Sequence, residues 1–285
     1  ITTGQNGFTG IINGQQFGIS VTNLGDLDLD GVKDLAVGSA ENDGGAAAGA
    51  LWILFLNQDG TVKNHRKLTE GQPSFNIVLD DFDVFGKSIT NLGDLDGDNI
   101  QDIAVGAYLD DDGGTDKGAV YILFLNQDGT VKSHQKISNI AGGFSGIIDP
   151  FDQFGVSVSN LGDLDGDNIK DIAVGAISDD DGASAAGALW ILFLNQDGTV
   201  KSYQKISDTQ GNFLGNLDSL DEFGISVTNL GDLDLDGVSD AVVGSHLDDD
   251  GGTDKGAVYI LFLNGISAPD TNPPTYSNLD PSTSP

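Results

Sequence analysis

The chain has no cysteine, only 12 basic residues against 44 acidic ones, and no apolar run longer than Ala50–Leu56. Without cysteine, disulfides neither staple the fold nor report its compartment. A formal net charge of −32 repels phosphate backbones and anionic headgroups, which argues against nucleic acid as a partner. An apolar run of that length falls far short of the roughly 20 residues that cross a bilayer, so direct membrane insertion is not expected. Helical periodicity is missing too, which leaves a four-helix or doubly wound fold without support. No nucleophile elbow, HExxH, phosphate loop or basic aromatic patch occurs, and no catalytic or cofactor-binding residue is assigned.

What is abundant is glycine, 41 of 285 residues, about twice the usual share, as a chain of many tight turns requires. Aspartate is also abundant, and it is patterned. In Asp26-Leu27-Asp28-Leu29-Asp30-Gly31-Val32-Lys33-Asp34 carboxylates stand at positions 1, 3, 5 and 9. The spacing returns as Asp94, Asp96, Asp98 and Asp102, as Asp163, Asp165, Asp167 and Asp171, and as Asp232, Asp234, Asp236 and Asp240. Carboxylates so crowded repel one another unless a cation sits among them, and hard oxygen donors on a flexible loop are what Ca²⁺ takes. Position 7 (Val32, Ile100, Ile169, Val238) offers a backbone carbonyl, for which an apolar side chain is no handicap. Position 6 is Gly31, Asn99, Asn168 or Gly237, the residue types that most readily enter the left-handed conformation of a sharp bend. An EF-hand would need a glutamate at position 12, where the chain has Val37, Val105, Val174 and Val243. About four Ca²⁺ ions are therefore expected, which would bring the charge to −32 + 8 = −24. Loops of this kind in extracellular modules fill at about 10⁻⁴ to 10⁻³ M calcium, which points to an extracellular or cell-surface location.

The pair Phe17-Gly18 recurs as Phe85-Gly86, Phe154-Gly155 and Phe223-Gly224, at spacings of 68, 69 and 69 residues. A fixed period of this size is a repeat architecture. Within the first repeat, Phe17 to Leu24 alternates as a half-buried strand, Asp34 to Ser39 is short and rich in small and β-branched residues, and Ala50 to Leu56 reads as a strand buried on both faces. The turn Asn57-Gln58-Asp59-Gly60 leads to a fourth strand, Thr61 to Thr69, whose Lys63, Arg66 and Lys67 look like the protection of an exposed edge. Four short antiparallel strands per repeat make a β-propeller blade, so the expected fold is all-β with four blades at about 17–69, 85–138, 154–207 and 223–264.

Phe-Gly-x-Ser-Val, Gly-Asp-Leu-Asp-Gly-Asp, Asp-Ile-Ala-Val-Gly-Ala and Gly-Ala-Val-Tyr-Ile-Leu-Phe (118–124) together resemble the FG-GAP repeat of integrin α-subunit propellers and of many bacterial surface proteins. The resemblance covers about residues 1–265 and implies one repeat per blade, with Ca²⁺ in a loop between the first two strands. The blade number departs from it, since integrin propellers resemble seven-repeat rings. The fourth copy has no Thr-Val-Lys strand after Asn264, and residues 266–285, with Pro269, Pro273 and Pro274, resemble a linker opening an immunoglobulin-like module. Together with a start at Ile1 without methionine, this suggests a piece of a longer surface protein.

A second acidic loop, Asp110 to Asp116, with relatives at Asp248 to Asp254, Asp179 to Gly182 and Glu41 to Gly45, reads mainly as a solvated turn. Phe17 and its equivalents, and Trp52, Tyr121, Trp190 and Tyr259, read as core. Since nearly every polar residue is repeated, a unique catalytic constellation is lacking. The expectation is a calcium-stabilised binding or structural module in adhesion or surface assembly. Its ligand would be a protein or polysaccharide on a cell surface or matrix, and self-assembly through the incomplete fourth blade is an added possibility. A propeller-borne polysaccharide lyase or phospholipase is the alternative. The variable segments 4–16, 71–84, 140–153 and 209–222 are expected to face the ligand.

Overall fold

The structure, a computed structural model, describes residues 1–12, 14–41, 46–72, 75–264 and 277–278. Fifteen strands of six to twelve residues and a two-residue sixteenth form four four-stranded antiparallel sheets, and the described residues contain no helix. The first sheet is β1 (Gly14–Gly25), β2 (Asp34–Glu41), β3 (Ala50–Leu56) and β4 (Val62–Leu68), in chain order. The second is β5 (Ser88–Gly93), β6 (Asp102–Ala107), β7 (Ala119–Leu125) and β8 (Val131–Ile137). The third is β9 (Phe154–Gly162), β10 (Asp171–Ala176), β11 (Ala188–Leu194) and β12 (Val200–Ile206). The fourth is β13 (Ser226–Gly231), β14 (Asp240–Ser245), β15 (Ala257–Phe262) and β16 (Ser277–Asn278). These are four propeller blades, and the fold is all-β as the period of the sequence indicates. Two compact units divide the chain: residues 1–155 with 196–199, and the remainder.

Each turn and strand has a local cause. The hairpin between β3 and β4 closes through Gly60 N to Asn57 O (2.8 Å) and Asn57 N to Thr61 O (2.8 Å), with Gly60 at φ +80°. The third strands are buried along nearly their whole length in the first three blades, as continuous apolar runs should be. Trp52, Tyr121 and Trp190 are at most 3% exposed, and so belong to the core.

Successive blades are joined by a repeated lock. The amides of Phe85, Phe154 and Phe223 donate to Ala48, Lys117 and Ala186 of the preceding blade, each at 2.9 Å. Ser20, Ser88 and Ser157 donate through Oγ to the carbonyls of Gly86, Gly155 and Gly224 at 2.6, 2.8 and 2.7 Å. Here glycine is a matter of space: a Cβ on Gly38, Gly106 or Gly175 would stand 2.0 Å from those same carbonyls.

Three expectations are corrected. The fourth blade was expected to lack a fourth strand; β16 occupies that place, pairing Leu261 with Asn278 and Phe262 with Ser277. The rest of the expected linker, 266–285, lies outside the described residues. Phe85, Phe154 and Phe223 are fully buried, but Phe17 is only half-buried against Phe8 and Trp52. The segments before each Phe-Gly are not simply ligand-facing loops: Phe75, Ile77 and Leu79, Phe144 and Ile148, and Phe213 and Leu217 are all at most 8% exposed. Truncating these residues would open cavities.

Candidate metal centres

Each aspartate loop links the first strand of a blade to the second. Position 9 opens the second strand and is buried: Asp34, Asp102, Asp171 and Asp240 are at most 1% exposed. One carboxylate oxygen accepts from the amide of position 2, with Leu27, Leu95, Leu164 and Leu233 at 3.0, 2.9, 2.8 and 2.8 Å. The other accepts from the end of the third strand, from Leu56, Leu125, Leu194 and Leu263 at 3.0, 3.1, 3.1 and 3.0 Å. This residue therefore ties the loop to the sheet. Position 1 curls the loop around itself: Asp26 accepts from the amides of Asp30 (2.9 Å) and Gly31 (2.8 Å), and Asp94, Asp163 and Asp232 accept from the matching amides.

Position 6 is left-handed in every copy, with φ of +90°, +68°, +69° and +96° at Gly31, Asn99, Asn168 and Gly237. Position 4 is left-handed too, and this the sequence reading missed. Gly97 and Gly166 suit it, but Leu29 and Leu235 hold φ of +61° and +66° with exposed side chains, a strained conformation for leucine. The signal was visible as the glycine of copies two and three.

The side chains of positions 1, 3 and 9 converge. In each of the sets Asp26, Asp28 and Asp34; Asp94, Asp96 and Asp102; Asp163, Asp165 and Asp171; and Asp232, Asp234 and Asp240, one oxygen per residue lies within 4.8 Å of the others. Position 5, expected to join them, stands outside these groups. Asp30, Asp98, Asp167 and Asp236 turn back instead to accept from the amides of Val32, Ile100, Ile169 and Val238, each at 2.8 Å. That local Asx turn holds the carboxylate aside.

Lysines complete the electrostatics in three blades. Lys63 pairs with Asp28 (2.6 Å) and Asp30, Lys132 with Asp96 and Asp98 (2.5 Å), and Lys201 with Asp165 and Asp167. Lys63, hydrogen-bonded, holds Asp30 below the ordinary carboxylate range, and Lys132 does the same for Asp98. Burial of the position-9 group acts in the opposite sense, pushing Asp34 up, Asp102 to about 6 and Asp171 to about 7. Among the described residues no ion pair reaches Asp234 or Asp236 of the fourth blade.

The donor set fits a hard cation. Asp28 Oδ1 and Asp165 Oδ1 are buried without a hydrogen-bond partner, an arrangement that costs free energy unless something positive completes it. Clustered carboxylate oxygens are calcium or magnesium chemistry, not that of soft metals.

The same lysine logic corrects the reading of the second acidic loops as solvated. Glu41, Asp110, Asp179 and Asp248 are at most 2% exposed. Lys67 pairs with Glu41, Lys136 with Asp110 (2.8 Å) and Asp112 (2.6 Å), and Lys205 with Asp179 and Asp181 (both 2.6 Å). These fourth-strand lysines, expected to protect an edge, are internal counter-ions. Tyr121 adds a hydrogen bond from its hydroxyl to Asp110 (3.0 Å), and in the fourth blade Tyr259 does the same to Asp248 (2.6 Å).

Residues 85–123, from the Phe-Gly pair through the second aspartate loop to the third strand, match the model of the FG-GAP repeat. This match, the four-fold period and the four-stranded sheets together support an FG-GAP, integrin-like β-propeller. Integrin alpha-3 of Cricetulus griseus is 34% identical over 172 residues, which cover 58% of this chain and 14% of that protein. Integrin alpha-5 of Xenopus laevis is 33% identical over 178 residues, 61% of this chain and 16% of the relative. Integrin alpha-4 of Xenopus laevis is 30% identical over 168 residues, 59% and 15% respectively. The chain thus spans only about a seventh of the length of the curated relatives it matches.

Proposed function

We propose that this FG-GAP chain is a calcium-rigidified binding module of a larger secreted or cell-surface protein, working in adhesion or surface assembly and not in catalysis. The observation that carries the reading is the three-carboxylate group built at the same place in all four blades, with an unpartnered buried oxygen in two of them. Calcium would be held by positions 1, 3 and 9, with the carbonyl of position 7 and a reoriented position 5 completing the shell. It would supply shape, because it would tie the first strand, the second strand and the end of the third into one rigid corner.

The ligand, a protein in the first instance, would meet the exposed apolar residues beside each Phe-Gly. Phe82, Phe151 and Leu220 stand at equivalent positions, 55–59% exposed and at φ of +74° to +75°. Strained, exposed apolar residues on a rigid scaffold are recurrent features of recognition sites. Residues 266–285 would lead to a further module. Calorimetric titration with CaCl₂ tests the metal reading: about four ions per chain are expected, falling by one in Asp26→Ala. Immobilised chain with Phe82→Ser and Phe151→Ser then tests the loops, which should lose capture of matrix or cell-surface protein while retaining calcium binding.

A further inference from the structure

The first two aspartate loops are held from outside by the blade that follows. Gln127, in the hairpin between β7 and β8, donates through Nε2 to the backbone carbonyl of Asp28 at 2.9 Å, across 99 residues of sequence. Gln196, at the equivalent place in the hairpin between β11 and β12, donates to the carbonyl of Asp96 at 2.8 Å. Both acceptors are position 3 of a loop, whose carboxylate is one of the three that converge.

The donors stand on rigid ground. The hairpin of the second blade closes through Gly129 N to Asn126 O (2.9 Å) and Asn126 N to Thr130 O (2.8 Å), and Asp128 Oδ1 accepts from the amide and the hydroxyl of Thr130 at 3.0 and 2.6 Å. It lies so close to the first blade that a Cβ on Gly129 would stand 3.1 Å from Phe55 and 3.2 Å from Ile53, and a Cβ on Gly198 would stand 3.1 Å from Ile122 in the same way. Lys63 and Gln127 grip the same residue differently. The lysine takes the carboxylate of Asp28 and has to leave when a cation arrives, whereas the glutamine takes the carbonyl and can stay. The backbone shows why an outside grip is useful. The carbonyl of position 3 belongs to the peptide that enters position 4, where the chain is left-handed, with Leu29 at φ +61° and Gly97 at φ +86°. Leucine resists that conformation and glycine does not, so the first loop relies on its glutamine more than the second.

We infer that Gln127 and Gln196 are positioning residues for the ions of the first and second blades and couple each ion to the seating of the next blade's hairpin, which rests on the calcium reading of these loops. By fixing the peptide between positions 3 and 4, the glutamine amide keeps the carboxylate of Asp28 or Asp96 aimed at the other two once the lysine has been displaced. Less ordering is then left for the ion to impose, and the site binds more tightly. Coupling of this kind is reciprocal: an ion that favours the aimed loop favours the hairpin seated on it by the same factor. Calcium in the first loop thereby braces the joint between the first two blades.

The test is a titration of the full chain with CaCl₂ followed by NMR, in the parent and in Gln127→Met and Gln196→Met, with the amides of Gly31, Asn99 and Asn168 reporting the first, second and third loops. Methionine keeps the length of the side chain and removes the donor. Gln127→Met should raise the half-saturating calcium at Gly31 by about three- to ten-fold, the worth of one neutral hydrogen bond, and leave Asn99 and Asn168 unchanged. Gln196→Met should act on Asn99 alone, by about two-fold. Both glutamines are exposed, so each variant should melt within about 3 °C of the parent in EDTA. A merely structural role would lower that melting temperature and single out no loop. Unchanged half-saturation at Gly31 in Gln127→Met, equal weakening at all three reporters, or a larger effect from Gln196→Met would overturn the inference and leave the calcium reading intact. Parent amides that do not respond to calcium would overturn both.

Discussion

Removing calcium should reverse the sign of the protein's response to acid. In the metal-free chain Asp102 and Asp171 are buried carboxylates raised to about 6 and about 7 from 3.8, chiefly because burial disfavours the charge. A group whose folded pKa is raised binds a proton more readily folded than unfolded, so its contribution falls as pH climbs from about 4 to about 7 and is level above that. At about 1.4 kcal/mol per unit, the two shifts correspond to roughly 3 and roughly 4 kcal/mol, an upper bound because the surroundings relax. In chelator the protein should therefore gain stability between pH 7.5 and pH 5. Calcium needs those carboxylates ionised, and at 1 mM with a dissociation constant of ~0.1 to 1 mM each site adds about 0.4 to 1.4 kcal/mol at pH 7.5. Four sites would add roughly 2 to 6 kcal/mol, a rise in melting temperature on the order of 5 to 15 °C. Acid should remove this gain as protons displace the ion. The assay is differential scanning calorimetry at pH 5, 6, 7 and 7.5, with EDTA and with 1 mM CaCl₂. A melting temperature indifferent to calcium at pH 7.5, or slopes of the same sign in both buffers, would refute the reasoning.

Lys132 competes with a cation for Asp96 and Asp98, so Lys132→Ala should tighten calcium binding at the second site, by up to about five-fold for a half-exposed pair, as read by titration. Leu235 is 85% exposed at φ +66°; Leu235→Gly should raise stability by about 0.5 to 1 kcal/mol in urea denaturation, relief of strain outweighing the chain entropy of glycine. Phe85→Ala should cost about 3 to 5 kcal/mol, whereas Phe17→Ala, at a half-buried position, should cost about half as much; equal losses would contradict this difference in burial. Asp102→Ala, which orphans the amides of Leu95 and Leu125, should cost about 2 to 4 kcal/mol even in EDTA, whereas Asp94→Ala in EDTA should cost less.

The blades were legible in the sequence because the information is local and repeated. Alternation in Phe17 to Leu24, the apolar run Ala50 to Leu56 and the turn at Asn57 to Gly60 each dictate backbone shape within a few residues. The 69-residue period shows that the same solution recurs. The aspartates at positions 1, 3 and 9 were legible for a related reason, since side chains two residues apart on a curling loop can hardly avoid one another. Three things needed the tertiary structure. The lysines lie 35 residues (Lys63 from Asp28) or 26 residues (Lys136 from Asp110) from their aspartates, and only pairing of the third and fourth strands brings them together; in sequence they look like ordinary edge charges. Position 5 is drawn aside by its own Asx turn, a choice among near-equal hydrogen bonds that spacing does not settle. The four copies also read alike along the chain, yet Leu24 is buried and Leu230 is 42% exposed. What separates them is whether a neighbouring blade covers the residue, and solvent exposure is a property of the packed molecule and not of the residue or its period.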